Sequence, residues 1–212
     1  MKQFEIITEA DARVLDIGAT VELSAGGHVT PLARDTLAAR RVTVIPAGSA
    51  DASLPADLAP VPDIRRVAIG SDHTGLAMKK AIVAHLRGRG VAVSDLGTDR
   101  TDPVDYPDVA GAVAMSVARG EADAGIVIDG AGIGSAIAAN KVRGIRAAMC
   151  SSETIARYSR EHNGANVMTL GSSLLDGSAA AIRIVETWMG TPMREARYIR
   201  RLMKIRRLEE KF

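Results

Sequence analysis

A carboxylate followed by a glycine-rich turn is the feature of this sequence that points most directly to chemistry. Asp129 ends an apolar stretch and starts the run Asp-Gly-Ala-Gly-Ile-Gly, which finishes at Gly134. Between a strand and a helix, such a turn brings backbone N–H groups, a helix N-terminus and a carboxylate together, which suits anion binding and proton abstraction. Alone, the motif is as typical of tight strand–helix packing as of a binding site.

Other polar side chains stand at the ends of predicted strands and helices. Their types allow acid–base chemistry, hydrogen bonding to hydroxyl groups and phosphate binding. In chain order they are Asp72 and His73 after a strand, Tyr106 at a helix start, His162 and Asn163 at a helix end, and Arg197 and Arg201 near the C-terminus. Arginines four residues apart share one helical face and can grip one phosphate together.

Composition excludes several classes of function. The 212 residues carry a net charge of +2 and only 3% aromatic residues, which argues against a nucleic-acid partner. No apolar run reaches the roughly 18 residues of a membrane span, and the N-terminus lacks a secretory signal, so we expect a cytoplasmic protein without a membrane partner. Four histidines and one cysteine show no metal-ligand spacing, although Asp72 and Asp129 suit Mg²⁺. The ligand spacing therefore predicts no metal site. The glycine run lacks the nucleotide-binding spacings, so we also expect no cofactor.

The first 46 residues predict a small α+β unit, followed by a linker over residues 47–64 that is rich in proline, alanine and aspartate. Within the unit we expect strands at 4–8, 19–24 and 42–45, and helices that begin at the cap residues Thr8 and Thr30. Gly26-Gly27 predicts a turn.

Residues 65–212 predict an α/β domain, a doubly wound five-stranded parallel sheet of Rossmann-like type with a C-terminal helix. Strands are expected at 66–70, 91–96, 124–129, 145–150 and 167–170, with helices between them and a last helix over 193–210. Ligands of such sheets bind at the carboxyl ends of the strands, where Asp72, His73 and Asp129 stand.

Several segments in one order carry a specific resemblance. They are Ile69-Gly-Ser-Asp-His73, Val104-Asp-Tyr-Pro107, Gly132-Ile-Gly134, Ile137-Ala-Ala-Asn-Lys141, Gly144-Ile-Arg-Ala147, Arg160-Glu-His-Asn163 and the Arg197/Arg201 pair. Through them, residues 66 to about 207 resemble the B-type ribose-5-phosphate isomerases and their galactose-6-phosphate isomerase relatives. The resemblance implies a metal-free homodimer that interconverts an aldose phosphate and a ketose phosphate through an enediolate, each site being completed by the partner subunit. Whether dimers pair into tetramers stays open.

The resemblance also implies residue roles. Asp129 is the expected base, in the place where most relatives have a cysteine; another subgroup uses a glutamate where this chain has Ser135. The alternative is that Asp129 only caps the following helix. The backbone from Gly130 to Gly134, including Ala131, Gly132 and Ile133, is expected to stabilise the developing oxyanion.

The remaining roles follow in the same way. His162 is the expected ring-opening acid–base, Asn163, Asp72 and Tyr106 contact sugar hydroxyls, and the phosphate is bound by His73, Arg197 and Arg201. Ser173 stands where relatives commonly have arginine, which leaves the substrate open between ribose 5-phosphate and a four- or six-carbon sugar phosphate. A non-catalytic sugar-phosphate sensor is the competing class.

The first 46 residues lie outside that resemblance. Ile7-Thr-Glu-Ala-Asp11 and Val29-Thr-Pro-Leu-Ala-Arg-Asp35 are similar to a short segment on some enzymes of bacterial microcompartments. This similarity implies contact with a microcompartment shell or with pathway enzymes. A small domain that lengthens the dimer interface is the equally weighted alternative.

Overall fold

The chain is described from a computed structural model over residues 2–46, 58–61, 63–193 and 195–211. It divides into two compact units, Met1–Leu54 and Pro55–Phe212. Most of the expected linker lies outside the described residues. Its end belongs to the second unit and packs within it: Leu58 is 3% exposed, and the carbonyls of Leu58 and Val61 accept hydrogen bonds from Arg146 and Arg160.

The first unit alternates strands and helices. Its elements are β1 (Gln3–Ile7), α1 (Glu9–Val14), β2 (Thr20–Val29), α2 (Pro31–Ala39) and β3 (Thr43–Pro46). The three strands are parallel in the order β1-β2-β3, so the unit is a small α/β arrangement where the sequence suggested α+β. The predicted cap of α1 is confirmed, since the Thr8 side chain accepts from the Asp11 N–H and Asp11 accepts from the Thr8 N–H.

The predicted turn at Gly26-Gly27 is wrong, because β2 continues through both glycines to Val29. The pairing with β1 jumps from Phe4↔Leu23 to Ile6↔His28, so the glycines lie in a bulge. Gly26 has φ +81°, and a Cβ on Gly27 would lie 2.5 Å from the Glu5 carbonyl oxygen. The two glycines therefore permit a close approach of strands that a larger residue would prevent.

The second unit contains the predicted doubly wound sheet. Its elements are β4 (Arg66–Ser71), a 3₁₀ turn (His73–Gly75), α3 (Leu76–Gly88), β5 (Ala92–Asp95), α4 (Tyr106–Ala118), β6 (Ala124–Asp129), α5 (Ile133–Ala139), β7 (Ala147–Met149), α6 (Glu153–Glu161), β8 (Val167–Gly171), α7 (Gly177–Met189) and α8 (Ala196–Lys211). All five strands are parallel in the order β5-β4-β6-β8-β7. The apolar runs of β4, β6 and β8 are buried, as expected for central parallel strands.

Two apolar cores cover the faces of this sheet. One core joins the strands to α3, α6 and α7 around Ile126 and Trp188; the other joins them to α4 and α5 around Val113 and Val127. The chain winds outward from β4 in both directions, so the topological switch point lies between β4 and β6. Asp72 directly follows β4 and Asp129 is the last residue of β6, which places both residues where such folds bind ligands.

Candidate active site

Asp129 is the centre of a dense hydrogen-bond arrangement at the end of β6. It is 4% exposed. Its Oδ1 accepts from the N–H of Ala131 at 2.8 Å and from the N–H of Gly132. Its Oδ2 accepts from the N–H of Ser135 at 3.0 Å and from the Ser135 hydroxyl. The carboxylate thus links the glycine turn to the first turn of α5 by hydrogen bonds, as a helix cap does.

The glycine turn itself is shaped by close approaches. Gly132 directly precedes α5 and has φ +76°, a backbone conformation that glycine adopts without strain. A Cβ on Gly134 would lie 2.6 Å from the Tyr106 ring, so that ring lies directly over Gly134. The N–H groups of Ile133 and Gly134 belong to the first helical turn, where they have no intrahelical acceptor. The Tyr106 ring and the N–H groups of Ile133 and Gly134 therefore lie close together at the start of α5.

Asp72 lies at the neighbouring strand end. It is 6% exposed, and its Oδ1 accepts from the Thr74 hydroxyl at 2.6 Å and from the N–H groups of Thr74 and Gly75. The Thr74 hydroxyl is also 3.4 Å from that of Ser172. His73 Nδ1 accepts from the Val104 N–H at 3.4 Å. This edge of the sheet is thus rich in carboxylates and hydroxyls.

Ser173 belongs to the same polar surface. Its N–H donates to the Gly130 carbonyl at 3.0 Å, and its hydroxyl would lie 4.0 Å from a Cβ on Gly130, near the Thr74 hydroxyl at 3.9 Å. A neutral hydroxyl therefore stands beside the turn, so this position can bind a sugar hydroxyl but adds no charge.

His162 lies at the end of α6, in a cluster of side chains separate from the cluster around Asp129 and Asp72. Its ring is stacked on Tyr158 at 4.7 Å and lies 4.7 Å from the ring of Tyr198. Its Nε2 is 3.9 Å from Glu161 Oε1. The two tyrosines were not among the residues expected at the site. The spacing of Tyr158 and His162, four residues apart on one helix, was the signal that could have identified the first of them.

The two arginines and Asn163 accompany His162. The Arg197 guanidinium donates to the Tyr198 hydroxyl at 3.0 Å and pairs with Glu195 at 2.6 Å. Arg201 lies over the Tyr198 ring, 5.6 Å from its centroid. Asn163 Nδ2 donates to the Tyr158 carbonyl at 3.1 Å. Aromatic rings and cations thus form one surface between α6 and α8.

Within one chain the two clusters lie at opposite edges of the sheet. Helix α6 leads back to the start of β8, so His162 lies near the amino ends of the strands, whereas Asp129 ends β6 at the carboxyl edge. Five strand steps of about 3.3 Å separate the two edges by about 16 Å. A single substrate the size of a sugar phosphate cannot touch both clusters of the same chain, so the expected site residues are not brought together within one chain.

The single cysteine is not a reactive group in this fold. Burial raises the pKa of the Cys150 thiol to about 11, against a smaller lowering by a hydrogen bond with Ser159. Among the described residues, no group of three or more His, Cys, Asp and Glu side chains could hold a metal ion. None of the helices in the described ranges is long and apolar enough to cross a bilayer.

A doubly wound sheet with acidic and glycine-rich loops at its switch point defines an α/β protein of the small-ligand-binding class. The family model of ribose/galactose isomerases matches residues 67–205, and the chain belongs to this family. The match begins at β4, so the first unit lies outside it.

Individual relatives agree with this assignment. The chain is 44% identical over 148 residues to ribose-5-phosphate isomerase B of Escherichia coli, covering 70% of this chain and 99% of the relative. The structure of ribose-5-phosphate isomerase B of Clostridium thermocellum is similar with a TM-score of 0.67 at 46% identity, covering 69% and 98% of the two chains. That of Mycoplasma genitalium with bound ribulose-5-phosphate has a TM-score of 0.66 at 40% identity, covering 69% and 97%.

Proposed function

We propose that this chain is an aldose–ketose isomerase that interconverts ribose 5-phosphate and ribulose 5-phosphate through an enediolate. One observation carries the proposal: in a member of the ribose/galactose isomerase family, a buried carboxylate, Asp129, stands on the glycine turn at the switch point of the sheet. An isomerase needs a base that moves a proton between adjacent carbons and donors that stabilise the oxyanion formed between the two transfers. The carboxylate and the turn supply both.

Asp129 is the proposed base. The backbone N–H groups of Ile133 and Gly134, at the unpaired start of α5, are the proposed oxyanion donors, because two of the other turn donors already bind Asp129 itself. Tyr106, over Gly134, and Asp72 are proposed to bind sugar hydroxyls. The alternative role of Asp129 as a cap does not exclude catalysis, since the bonds that hold the carboxylate also orient it.

His162, Asn163, Arg197 and Arg201 are proposed to act on the substrate bound at Asp129 of the partner subunit. The opposite placement of the two clusters within one chain supports this homodimeric arrangement. His162 opens the sugar ring, and the arginines bind the phosphate together with His73. Light scattering of the purified chain distinguishes a dimer from a tetramer of two such dimers.

The substrate is tested with purified protein and a panel of four-, five- and six-carbon aldose and ketose phosphates. Ribose 5-phosphate should give the highest kcat/KM. Preference for a four- or six-carbon substrate would assign a different sugar phosphate to the same chemistry, which the neutral Ser173 would help to explain. Binding across the panel without turnover would identify a sugar-phosphate sensor and contradict the proposal.

For the first unit, we propose a role in addressing the cytoplasmic enzyme to a bacterial microcompartment shell or to enzymes of its pathway. The support is the short sequence similarity of residues 1–46 and their position outside the family match. Co-sedimentation of the full chain, but not of a chain lacking this unit, with microcompartment proteins is the expected result. Equal sedimentation of both chains would contradict it.

A further inference from the structure

The carboxylate of Asp129 has all of its acceptor positions in use. A carboxylate offers about four lone-pair sites, and four donors point at this one: the N–H groups of Ala131, Gly132 and Ser135 and the Ser135 hydroxyl. A base must have a free lone pair directed at the proton that it removes. Proton abstraction by Asp129 therefore requires that one of the four donors leave first.

We propose that the Ser135 hydroxyl is the donor that leaves, and that Ser135 is thereby a positioning residue that controls when Asp129 can act as a base. This inference rests on the proposed isomerase function. The role of Ser135 depends on Asp129, because the Ser135 hydroxyl acts only through the hydrogen bond that it donates to this carboxylate.

The other three donors cannot leave without movement of the backbone. The N–H groups of Ala131 and Gly132 are fixed by a turn that passes through the left-handed conformation at Gly132. The N–H of Ser135 is fixed by α5, whose first intrahelical bond runs from Ala136 to the Gly132 carbonyl. The Ser135 hydroxyl, in contrast, moves away as a whole by rotation about the Cα–Cβ bond, without any movement of the backbone.

Water does not take the place of the carboxylate as acceptor, because Ser135 is fully buried. Release therefore leaves the hydroxyl without its hydrogen bond for as long as it lasts, so the bonded arrangement is the resting one.

The carbon-bound proton is balanced at Asp129, while the hydroxyl proton of the enediolate passes from one of its two oxygens to the other. The Ser135 hydroxyl rotates away from Oδ2; Oδ2 takes the proton from the substrate carbon, and the C–H electron pair enters the enediolate. Oδ2–H then returns the proton to the neighbouring carbon. The serine hydroxyl keeps its own proton throughout and donates again to Oδ2 when the product leaves.

The test compares Ser135→Ala with Ser116→Ala, a matched loss of a buried helical serine hydroxyl on α4. For each we would measure kcat, KM, the melting temperature and deuterium incorporation into substrate in D₂O. Ser135→Ala should lower the melting temperature yet raise kcat and the exchange rate about threefold or more, with KM within about twofold, because the lone pair is always free. Ser116→Ala should leave kcat unchanged.

An unchanged or lowered kcat for Ser135→Ala would overturn the inference, since a hydroxyl that only orients Asp129 cannot be removed with a gain. A wild type without turnover on any sugar phosphate would instead overturn the proposed function. An infrared readout makes the distinction independent of turnover. The Asp129 carboxylate band, isolated with ¹³C-aspartate and Asp129→Asn, should shift on addition of ribose 5-phosphate in the wild type but not in Ser135→Ala; no shift in the wild type would contradict release.

Discussion

The ring of Tyr198 lies 4.7 Å from the ring of His162 and joins the start of α8 to the end of α6. Arg197 donates to the hydroxyl of the same tyrosine, and Arg201 lies over its ring. The group proposed to open the sugar ring and the groups proposed to bind the phosphate are therefore held by one aromatic side chain. His162, Arg197 and Arg201 therefore present a fixed arrangement of groups to a substrate.

Mixed dimers test whether this cluster serves the partner subunit. Asp129→Asn and Arg201→Ala chains should each be nearly inactive. After equal random mixing, half of the dimers are mixed, and one of the two sites in each carries neither substitution, so about a quarter of wild-type turnover should return. The measurement is kcat after unfolding and refolding the two chains together. No recovery, with mixed dimers confirmed by mass, would place both groups in one subunit's site.

Asp129→Asn should lower kcat on the order of a thousandfold by removing the proton acceptor. Asparagine keeps an oxygen for the N–H groups of Ala131 and Gly132, but the Ser135 N–H loses its acceptor, so we also expect about 1–3 kcal/mol lower unfolding free energy. Kinetics and denaturant titration measure the two effects.

The matched control is Asp123→Asn, at the amino edge of the sheet. Asp123 also accepts several donors, the N–H groups of Arg65 and Arg66 and the Arg66 guanidinium, but lies far from the turn. It should lose stability and keep kcat. Equal kcat for the two variants would show that Asp129 is a cap and not the base.

How much the sequence alone predicted depends on the scale of the feature. The order of strands and helices and the location of Asp72 and Asp129 at strand ends followed from apolar periodicity. The bulge at Gly26-Gly27 did not, because glycine pairs mark turns and bulges alike and only the distance to Glu5 decides between them. Which donors occupy the Asp129 carboxylate also depends on turn geometry, which spacing does not encode.

Acid should destabilise the chain partly through Asp123. Burial raises the pKa of this carboxyl, but hydrogen bonds from the Arg66 guanidinium and from the N–H groups of Arg65 and Arg66 outweigh it and lower the pKa below its usual range. Stability from a lowered pKa is present above the unfolded value of about 3.9 and is lost as pH falls through the folded value. Asp123→Asn should therefore flatten the decrease of unfolding free energy below about pH 4. A decrease as steep as that of the wild type would exclude this contribution.

Thiol reagents should not inactivate the enzyme. The single cysteine is Cys150, which is fully buried and has its pKa raised to about 11. At pH 8 almost none of it is thiolate, which is the reactive form. Iodoacetamide should leave kcat unchanged over hours, and Cys150→Ala should retain most of the wild-type kcat. Rapid loss of activity in the wild type, absent in Cys150→Ala, would contradict this.

Residues 58–61 are part of the second unit and supply hydrogen-bond acceptors to it. Arg160 is fully buried, and its guanidinium donates to the carbonyls of Ala165 and Val61. Arg146 donates to the carbonyl of Leu58, which is itself buried. Removal of residues 58–61 would leave a buried cation with fewer acceptors and expose apolar surface, at a cost of several kcal/mol.

A chain that starts at residue 55 should therefore keep the wild-type kcat/KM and melting temperature of the second unit. A chain that starts at residue 63 should melt several degrees lower, because it lacks one carbonyl acceptor of each of these two arginines. Calorimetry and turnover of both truncated chains, with light scattering for their mass, measure this difference. Equal melting temperatures would show that residues 58–61 add nothing to the unit, and loss of turnover from the chain starting at 55 would show that the first unit is needed for catalysis.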